Sequence, residues 1–466
     1  MKRLCCCIMV CLMLLAPFFV FPTAAAHEDF DVQSGVLLKY NGSDTDVTIP
    51  SHITAIGDSA FAENKKVKSI KLNDSVRVIG DRAFYGCSSL QSVTSGDSIT
   101  EVGDMAFYGT PYLDATTEKY VMLGSVLLWY NGTSDSVTIP LRCTSIASYA
   151  FARCEYLKSF TANEGLVSVG TGAFYGCTKL ESVNLPATLS AVGAYAFDGT
   201  PFLSKADAFA VVGDGVLLRY QGTDTEVTIP DTIKRIASHA FVSSKIKSVT
   251  LPESVYAIDA YAFADCTGLE TFNYAEGLVT IGDGAFRGCK SLQQFKTPAS
   301  LSYIGQLAFN GDSAISSAAL CGDNLTVSHN AFKNCSAMQY VLMSDGVARL
   351  YDNAFDGCTA LEGISVSPQT TDISASALSG CPQAVVCCEE GSAANSALSD
   401  HSVNTVMGDV DSSSELDVMD ATTIQCYIAY LVKLNGAETA SADVNFDGEI
   451  NILDAYYCQL KIVHLA

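Results

Sequence analysis

The sequence predicts a leucine-rich, β-rich repeat solenoid with a parallel strand ladder, followed by a small all-α domain with two EF-hand-like loops. Three observations predict it. The pair Ala-Phe recurs through the middle of the chain, most often in steps of 23 residues, as from Phe61 to Phe84 and on to Phe107. Five positions before each phenylalanine stands an aliphatic residue, such as Ile56, Ile79 and Val102. Two acidic stretches of one twelve-residue form, Asp409 to Asp420 and Asp443 to Asp454, then close the chain, each running into an apolar segment.

At 466 residues with 48% hydrophobic content, the chain is long enough for two or more domains and a large core. The formal charge of −23 argues against nucleic acid and anionic membrane surfaces as partners, because both need basic patches. Met1-Lys2-Arg3, an apolar run from Leu4 to Val20 and Ala24-Ala25-Ala26 have the three regions of a secretory signal, with cleavage expected before His27. Residues 1–26 are therefore assigned to a signal peptide, and no other stretch is apolar enough for membrane insertion. Cys5, Cys6, Cys7 and Cys11 leave with that signal and are not disulfide partners.

The repeat series runs Phe61, Phe84, Phe107, Phe151, Phe174, Phe197, Phe241, Phe263, Phe286, Phe309, Phe332 and Phe355, with Leu378 as a degenerate last member. A spaced apolar run follows each Ala-Phe turn, for example Leu90/Val93 and Leu180/Val183/Leu185, and its alternation reads as a strand with one buried face. A unit this small cannot bury its own apolar face, so neighbours must stack. Two steps are 44 residues, and each holds a related insert, Val126 to Gly132 and Val216 to Gly222, with similar text from Val36. These inserts read as hairpin-like punctuation of a duplicated block. Trp129, sharing its slot with Lys39 and Arg219, is expected to be exposed.

The pattern [IV]-x-x-x-A-F-x-x-C-x-x-L-x-x-V-x-L-P, complete from Val169 to Pro186, resembles the leucine-rich repeats of the BspA type found in secreted and surface bacterial proteins. The resemblance covers roughly Val36 to Cys388 and implies a solenoid without naming a ligand. A helix begun by Ser392 and a strand from Val403 to Val406 are expected to cap it, so the solenoid is assigned to residues 27–406 and the C-terminal domain to 407–466.

The cysteines three residues after the phenylalanines, such as Cys87, Cys177 and Cys358, share their slot with Asn64, Thr110, Thr200, Ser244 and Asp312. That slot reads as small and buried, with disulfides or a metal as the alternative. The histidines are scattered, and no nucleophile elbow, phosphate loop or HExxH motif is present. An outward strand face bearing Lys68, Ser69, Lys71, Gln91, Ser92, Thr94, Lys158, Ser159, Thr161, Lys247, Gln293, Gln294 and Lys296 is the candidate binding surface.

In the second acidic loop Asp443, Asn445, Asp447, Asn451 and Asp454 occupy positions 1, 3, 5, 9 and 12, with Gly448 at the tight turn and Glu449 offering its backbone carbonyl. That spacing makes the oxygen cage of a hard Ca²⁺ ion. The first loop repeats it with Asp409, Asp411, Ser413, Glu415, Asp417 and Asp420, but has Ser414 where the turn favours glycine. Two ions are expected. Neither loop has a convincing helix entering it, and each ends in Asp rather than the Glu of an ordinary EF-hand.

From Gly408 onward the chain resembles a type I dockerin. The resemblance implies a Ca²⁺-dependent plug for the cohesin domain of a scaffold protein, in the cellulosome-type, polysaccharide-degrading assemblies of anaerobic bacteria. It also implies cohesin contacts through Val418 and Met419 in one half and Ile452 and Leu453 in the other, flanked by Thr422, Gln425, Tyr456 and Gln459. The expected protein is secreted, extracellular and non-catalytic, held at a surface through its scaffold, with a protein or glycan ligand on the solenoid. Two alternatives stay open: a glycan-active enzyme or peptidase with a site on the solenoid, and a free-standing adhesin whose C-terminal domain is a Ca²⁺-stabilised cap.

Overall fold

The structure, a computed structural model, describes residues 29–463 except 96, 116, 412 and 414. The expected signal peptide, Ser414 and His464 lie outside the described residues.

Each rung crosses the molecule twice in extended conformation. Three-residue strands such as Ser69–Lys71 and Ser92–Thr94 form the expected parallel ladder, with Ile70 opposite Val93. The aliphatic slots form a second one: Ala55–Ile56, Val78–Ile79 and Glu101–Val102 also pair parallel and in register. A two-residue strand is too short to show alternation, so the sequence reading had one ladder where there are two. In the first ladder alternate side chains point in and out, as with buried Ile70 and exposed Lys71.

Between the ladders the phenylalanines stack ring on ring. From Phe241 to Phe355 successive centroids are 4.6 to 5.3 Å apart, and Phe84, Phe174, Phe263, Phe286, Phe309, Phe332 and Phe355 are fully enclosed. The turns around them also bond rung to rung, Phe61 N–H donating to Ala83 O and Phe84 N–H to Ala106 O. Two residues per turn adopt left-handed backbone, as Tyr149 (φ 60°) and Arg153 (φ 58°) do beside Phe151. That conformation costs a non-glycine residue about 1–2 kcal/mol, and the repeated hydrogen bonds hold it in place.

The inserts are antiparallel hairpins: Phe30–Gln33 with Val36–Tyr40, Tyr120–Leu123 with Val126–Tyr130, and Phe209–Val212 with Val216–Tyr220. Each acts as the first rung of a block, because its second strand continues parallel into the aliphatic ladder, Leu37 pairing with Ile56, Leu127 with Ile146 and Leu217 with Ile236. A tyrosine takes the phenylalanine place, Tyr40 stacking on Phe61 at 4.9 Å and Tyr130 on Phe151 at 5.0 Å. Two short helices, α1 (Tyr112–Ala115) and α2 (Pro201–Ser204), precede the second and third hairpins. Trp129 is not exposed as the sequence suggested; it is half-buried and packs on the core of the first block, because the hairpin folds back on the preceding rungs.

The solenoid closes with helix α3 (Ala393–Ala397), capped by the Ser392 hydroxyl, which accepts from Asn395 N–H, and with a strand Ser402–Asn404 paired to Val385–Cys388. Three more helices follow: α4 (Val418–Ile428), α5 (Gly436–Ala442) and α6 (Ile452–Ile462). α4 and α6 enclose Val410, Ala421, Ile424, Val444, Ala455 and Cys458. α5 corrects the sequence reading of the second loop, since a helix does enter it. Its start is a capping box, Asn435 accepting from Glu438 N–H and Glu438 from Asn435 N–H, each at 2.9 Å. α5 lies across the strands Tyr340–Met343, Gly363–Val366 and Val385–Cys388, so the helical domain covers the last strands of that face.

Candidate calcium loops and partner surface

In the first loop the carboxylates of Asp409, Asp411 and Asp420 lie within 4.8 Å of one another. Asp420 is buried, its two oxygens accepting from Val410 N–H (3.0 Å) and Asp417 N–H (2.9 Å). Ser413 N–H donates to both Asp409 and Asp411 at 3.0 Å, and the Ser413 hydroxyl to Glu415 O at 3.0 Å. The second loop repeats this wiring. Asp454 accepts from Val444 N–H (2.9 Å) and Asn451 N–H (2.8 Å), and Asp443 from Asp447 N–H (3.1 Å) and Gly448 N–H (3.2 Å). Asn445 also accepts from Asp447 N–H (3.0 Å), and Gly448 makes the turn at φ 79°.

The ninth residues are placed differently from the rest. Asp417 and Asn451 are the N-caps of α4 and α6, accepting from Met419 N–H (2.6 Å) and Leu453 N–H (2.8 Å). Asp420 and Asp454 return the bond as the third helical residue, so one carboxylate serves both loop and helix start. Glu415 and Glu449 have exposed side chains, consistent with a role for their backbone carbonyls alone.

Burial pushes the Asp443 carboxyl up to about 8, with the charges of Asp454 and Asp447 adding to the effect. Burial likewise pushes Asp454 to about 6. Among the described residues no Lys or Arg is paired with either. Buried carboxylates gathered with amide and carbonyl oxygens, and without a protein cation, fit a hard divalent ion.

Beyond the loops, Val418 (64% exposed), Met419 (57%), Ile452 (61%) and Leu453 (49%) present bare apolar side chains on the first turns of α4 and α6. Thr422, Gln425, Tyr456 and Gln459 are exposed on the turns that follow. Sequence reasoning missed Tyr430 (95% exposed) and Leu431 (75%), just beyond α4, although the run Ala429-Tyr430-Leu431-Val432 past a helix end was a signal.

It also missed the contact with the solenoid. Gly436 N–H donates to Glu362 at 2.7 Å, Asp345 N–H to Phe446 O at 3.1 Å, and Lys296 pairs with Glu449. Phe446 is buried with Met407, Ala440 and Cys387. Lys296, counted in the candidate binding face, is therefore engaged within the molecule. Lys68, Lys71, Gln91, Ser92, Thr94, Lys158, Lys247, Gln293 and Gln294 are exposed, whereas Ser69, Ser159 and Thr161 are half-buried. The available signal was the change of outward residues in the last strands to Leu342, Gly363 and Cys387, all buried.

One acidic group on the solenoid escaped the sequence reading. Asp58, Asp81 and Asp104 line a groove with Arg82, Tyr149 and Thr171. Asp58 accepts from Asp81 N–H (2.8 Å), Asp81 from Asp104 N–H (2.7 Å), and Asp104 from the Ser148 and Thr171 hydroxyls. These bonds tie rung to rung and account for the carboxylates structurally.

Two family models match the two parts of the chain. The model of the BspA type leucine rich repeat region matches residues 38–119, 127–208, 220–339 and 325–390, and that of the dockerin type I domain matches residues 407–458. Among solved structures, a leucine rich cell surface protein of Faecalibacterium prausnitzii is 25% identical, over 82% of this chain and 98% of its own, with a TM-score of 0.28. A leucine-rich repeat protein of Eubacterium ventriosum is 18% identical over 75% and 89%, with a TM-score of 0.38. The pneumococcal vaccine antigen PcpA is 18% identical over 81% and 97%, with a TM-score of 0.36. No curated protein matches the chain.

Proposed function

Since the chain belongs to the BspA-type leucine-rich repeat family and ends in a type I dockerin domain, we propose that it is a secreted, non-catalytic protein whose solenoid is attached to a cohesin-bearing scaffold by a Ca²⁺-dependent plug. The observation that carries this reading is the pair of exposed apolar dipeptides, Val418-Met419 and Ile452-Leu453, at equivalent places in the two loop-and-helix halves. Exposed apolar pairs of this kind gain free energy by seating in an apolar patch of a partner.

The ligands in this reading are Asp409, Asp411, Ser413, the Glu415 carbonyl, Asp417 and Asp420 for one ion, and Asp443, Asn445, Asp447, the Glu449 carbonyl, Asn451 and Asp454 for the other. A bound Ca²⁺ supplies the positive charge that lets these acids stay together. The chain's own part is to aim the donors and, through the capping boxes, to start α4 and α6 so that the apolar pairs stand clear of the loops. Because the halves are alike, either leads, which gives two binding orientations related by a half-turn.

The solenoid is the delivered part. Its exposed Lys, Gln, Ser and Thr positions ahead of the covered region are the surface offered to a protein or glycan ligand. Such a protein belongs outside the cell, among proteins brought together for polysaccharide breakdown. No helix among the described residues is long and apolar enough to cross a membrane. A pull-down of the full chain with cohesins from the same organism, with and without chelator, tests the reading: capture in Ca²⁺ that chelation abolishes supports it. Failure with every cohesin would instead favour the free-standing adhesin, with residues 407–466 as a cap.

A further inference from the structure

We propose that the solenoid braces the second calcium loop, so that filling this loop and docking the C-terminal domain on the last strands form one coupled equilibrium. The proposal rests on the reading that Ca²⁺ fills the loop. It goes beyond that reading by giving the solenoid's own residues a part in the site.

The contacts fall on the arc of the loop between its ligands. Asp345 N–H donates to Phe446 O at 3.1 Å, the Cys321 thiol to Asp447 O at 3.6 Å, and Lys296 pairs with Glu449. This arc needs left-handed backbone at Phe446 (φ 54°) and Gly448 (φ 79°), and the solenoid closes over it: a Cβ built on Gly448 would come within 2.7 Å of the Cys321 sulfur. The Phe446 ring is buried against Cys387 of the solenoid together with Met407 and Ala440. Upstream, α5 delivers Asp443 from a start pinned by the Gly436–Glu362 bond, and a Cβ on Gly363 would collide with the Gly436 carbonyl. In the first loop Asp411 to Asp420 bond within the loop and α4, and the tie to the docked helix is indirect, the Ser441 hydroxyl of α5 donating to Asp409 O at 3.0 Å.

The physical consequence follows from reciprocity. A surface that holds the second loop in its ligating shape strengthens ion binding there, and an ion that fixes the shape strengthens the surface contact by the same factor. The first loop feels this constraint only through the Ser441 bond to Asp409. The two sites thus become unequal for a reason lying outside the loops themselves, and loss of the second ion frees the domain from the solenoid.

The test uses the full mature chain and Ca²⁺ alone as the probe. Gly363→Leu forces the backbones apart, and Glu362→Ala removes the pin on α5 without adding bulk. Neither touches the solenoid core, which a thermal melt verifies. Ca²⁺ titration is read together with alkylation of Cys387, which the docked domain buries completely. The expected result is that either variant exposes Cys387 and weakens one of the two sites by about 5- to 150-fold, the usual range of coupling between sites, with the other site affected less. Chelation of the wild-type chain should expose Cys387 as well. Cys387 exposed in the variants with both Ca²⁺ affinities as in wild type would overturn the coupling while leaving the calcium reading intact. Absence of Ca²⁺ binding by the wild-type chain would overturn both.

Discussion

The cysteine slot shows how much chemistry one position per rung carries. The thiols of Cys87, Cys177, Cys266 and Cys381 each donate to the phenylalanine carbonyl of the preceding rung at 3.0 Å. Thr110 and Thr200 instead donate to the carbonyl of their own rung's phenylalanine. The slot takes a small hydrogen-bond donor, which explains why Cys and Thr interchange there. Burial pushes Cys87 up to about 11 and Cys266 to about 12, and all described cysteines are free. Native protein should therefore react slowly with thiol reagents, while unfolded, unreduced protein should titrate as nearly all free thiol; a mostly blocked titre would contradict this. Asp312 brings a carboxyl to the slot. It is fully buried, accepts from Cys289 N–H at 2.7 Å, and its second oxygen has no partner. Burial raises its carboxyl well above the usual range. The folded state then holds this proton more firmly than the unfolded chain, so the associated stability is complete below about pH 4 and is lost as pH rises toward the folded value. Asp312→Asn should remove this dependence and stabilise the solenoid by about 1–3 kcal/mol at neutral pH. Parallel melts of the two proteins across pH 4–8 measure it, and equal slopes would refute it.

At the scale of elements, the parts legible in the sequence were those with a long period and a large side chain. The Phe61 to Phe355 series stood out because rings stacked about 5 Å apart admit no small substitute. The hairpins stood out because their text is repeated. The second ladder escaped because strands such as Ala55–Ile56 show no alternation, and α5 escaped because its small residues form no apolar stripe, although Asn435 and Glu438 spelled its start. Two variants separate core from face. Phe174→Ala should cost roughly 3–5 kcal/mol by leaving a cavity in the ring stack. Lys68, Lys71 and Lys158 changed together to Glu should alter stability by no more than about 0.5 kcal/mol per site while changing ligand binding. Thermal melts and binding assays on the same samples check both; unchanged binding of every identified ligand would remove the strand face from consideration.

For the whole molecule, the structure places the C-terminal domain against the last strands of the solenoid. The first blocks keep an open strand face, whereas the last strands are covered by α5 and the second loop. That joint escaped the sequence reading because its signal is spread over several strands: Leu342, Gly363 and Cys387 each pass for an ordinary strand residue, and only together do they mark a covered face. The dockerin's outward surface was legible as a resemblance, and Val418, Met419, Ile452 and Leu453 stand exposed. The central claim is that these pairs attach the chain to a cohesin in a Ca²⁺-dependent way. Titration calorimetry of the full chain against cohesin tests it most directly, using wild type, each pair changed to Asp, and all four changed. Wild type should bind in Ca²⁺ and not in chelator, each single-pair variant should bind only modestly more weakly, and the fourfold variant should not bind. Undiminished binding in chelator, or by the fourfold variant in Ca²⁺, would contradict the account.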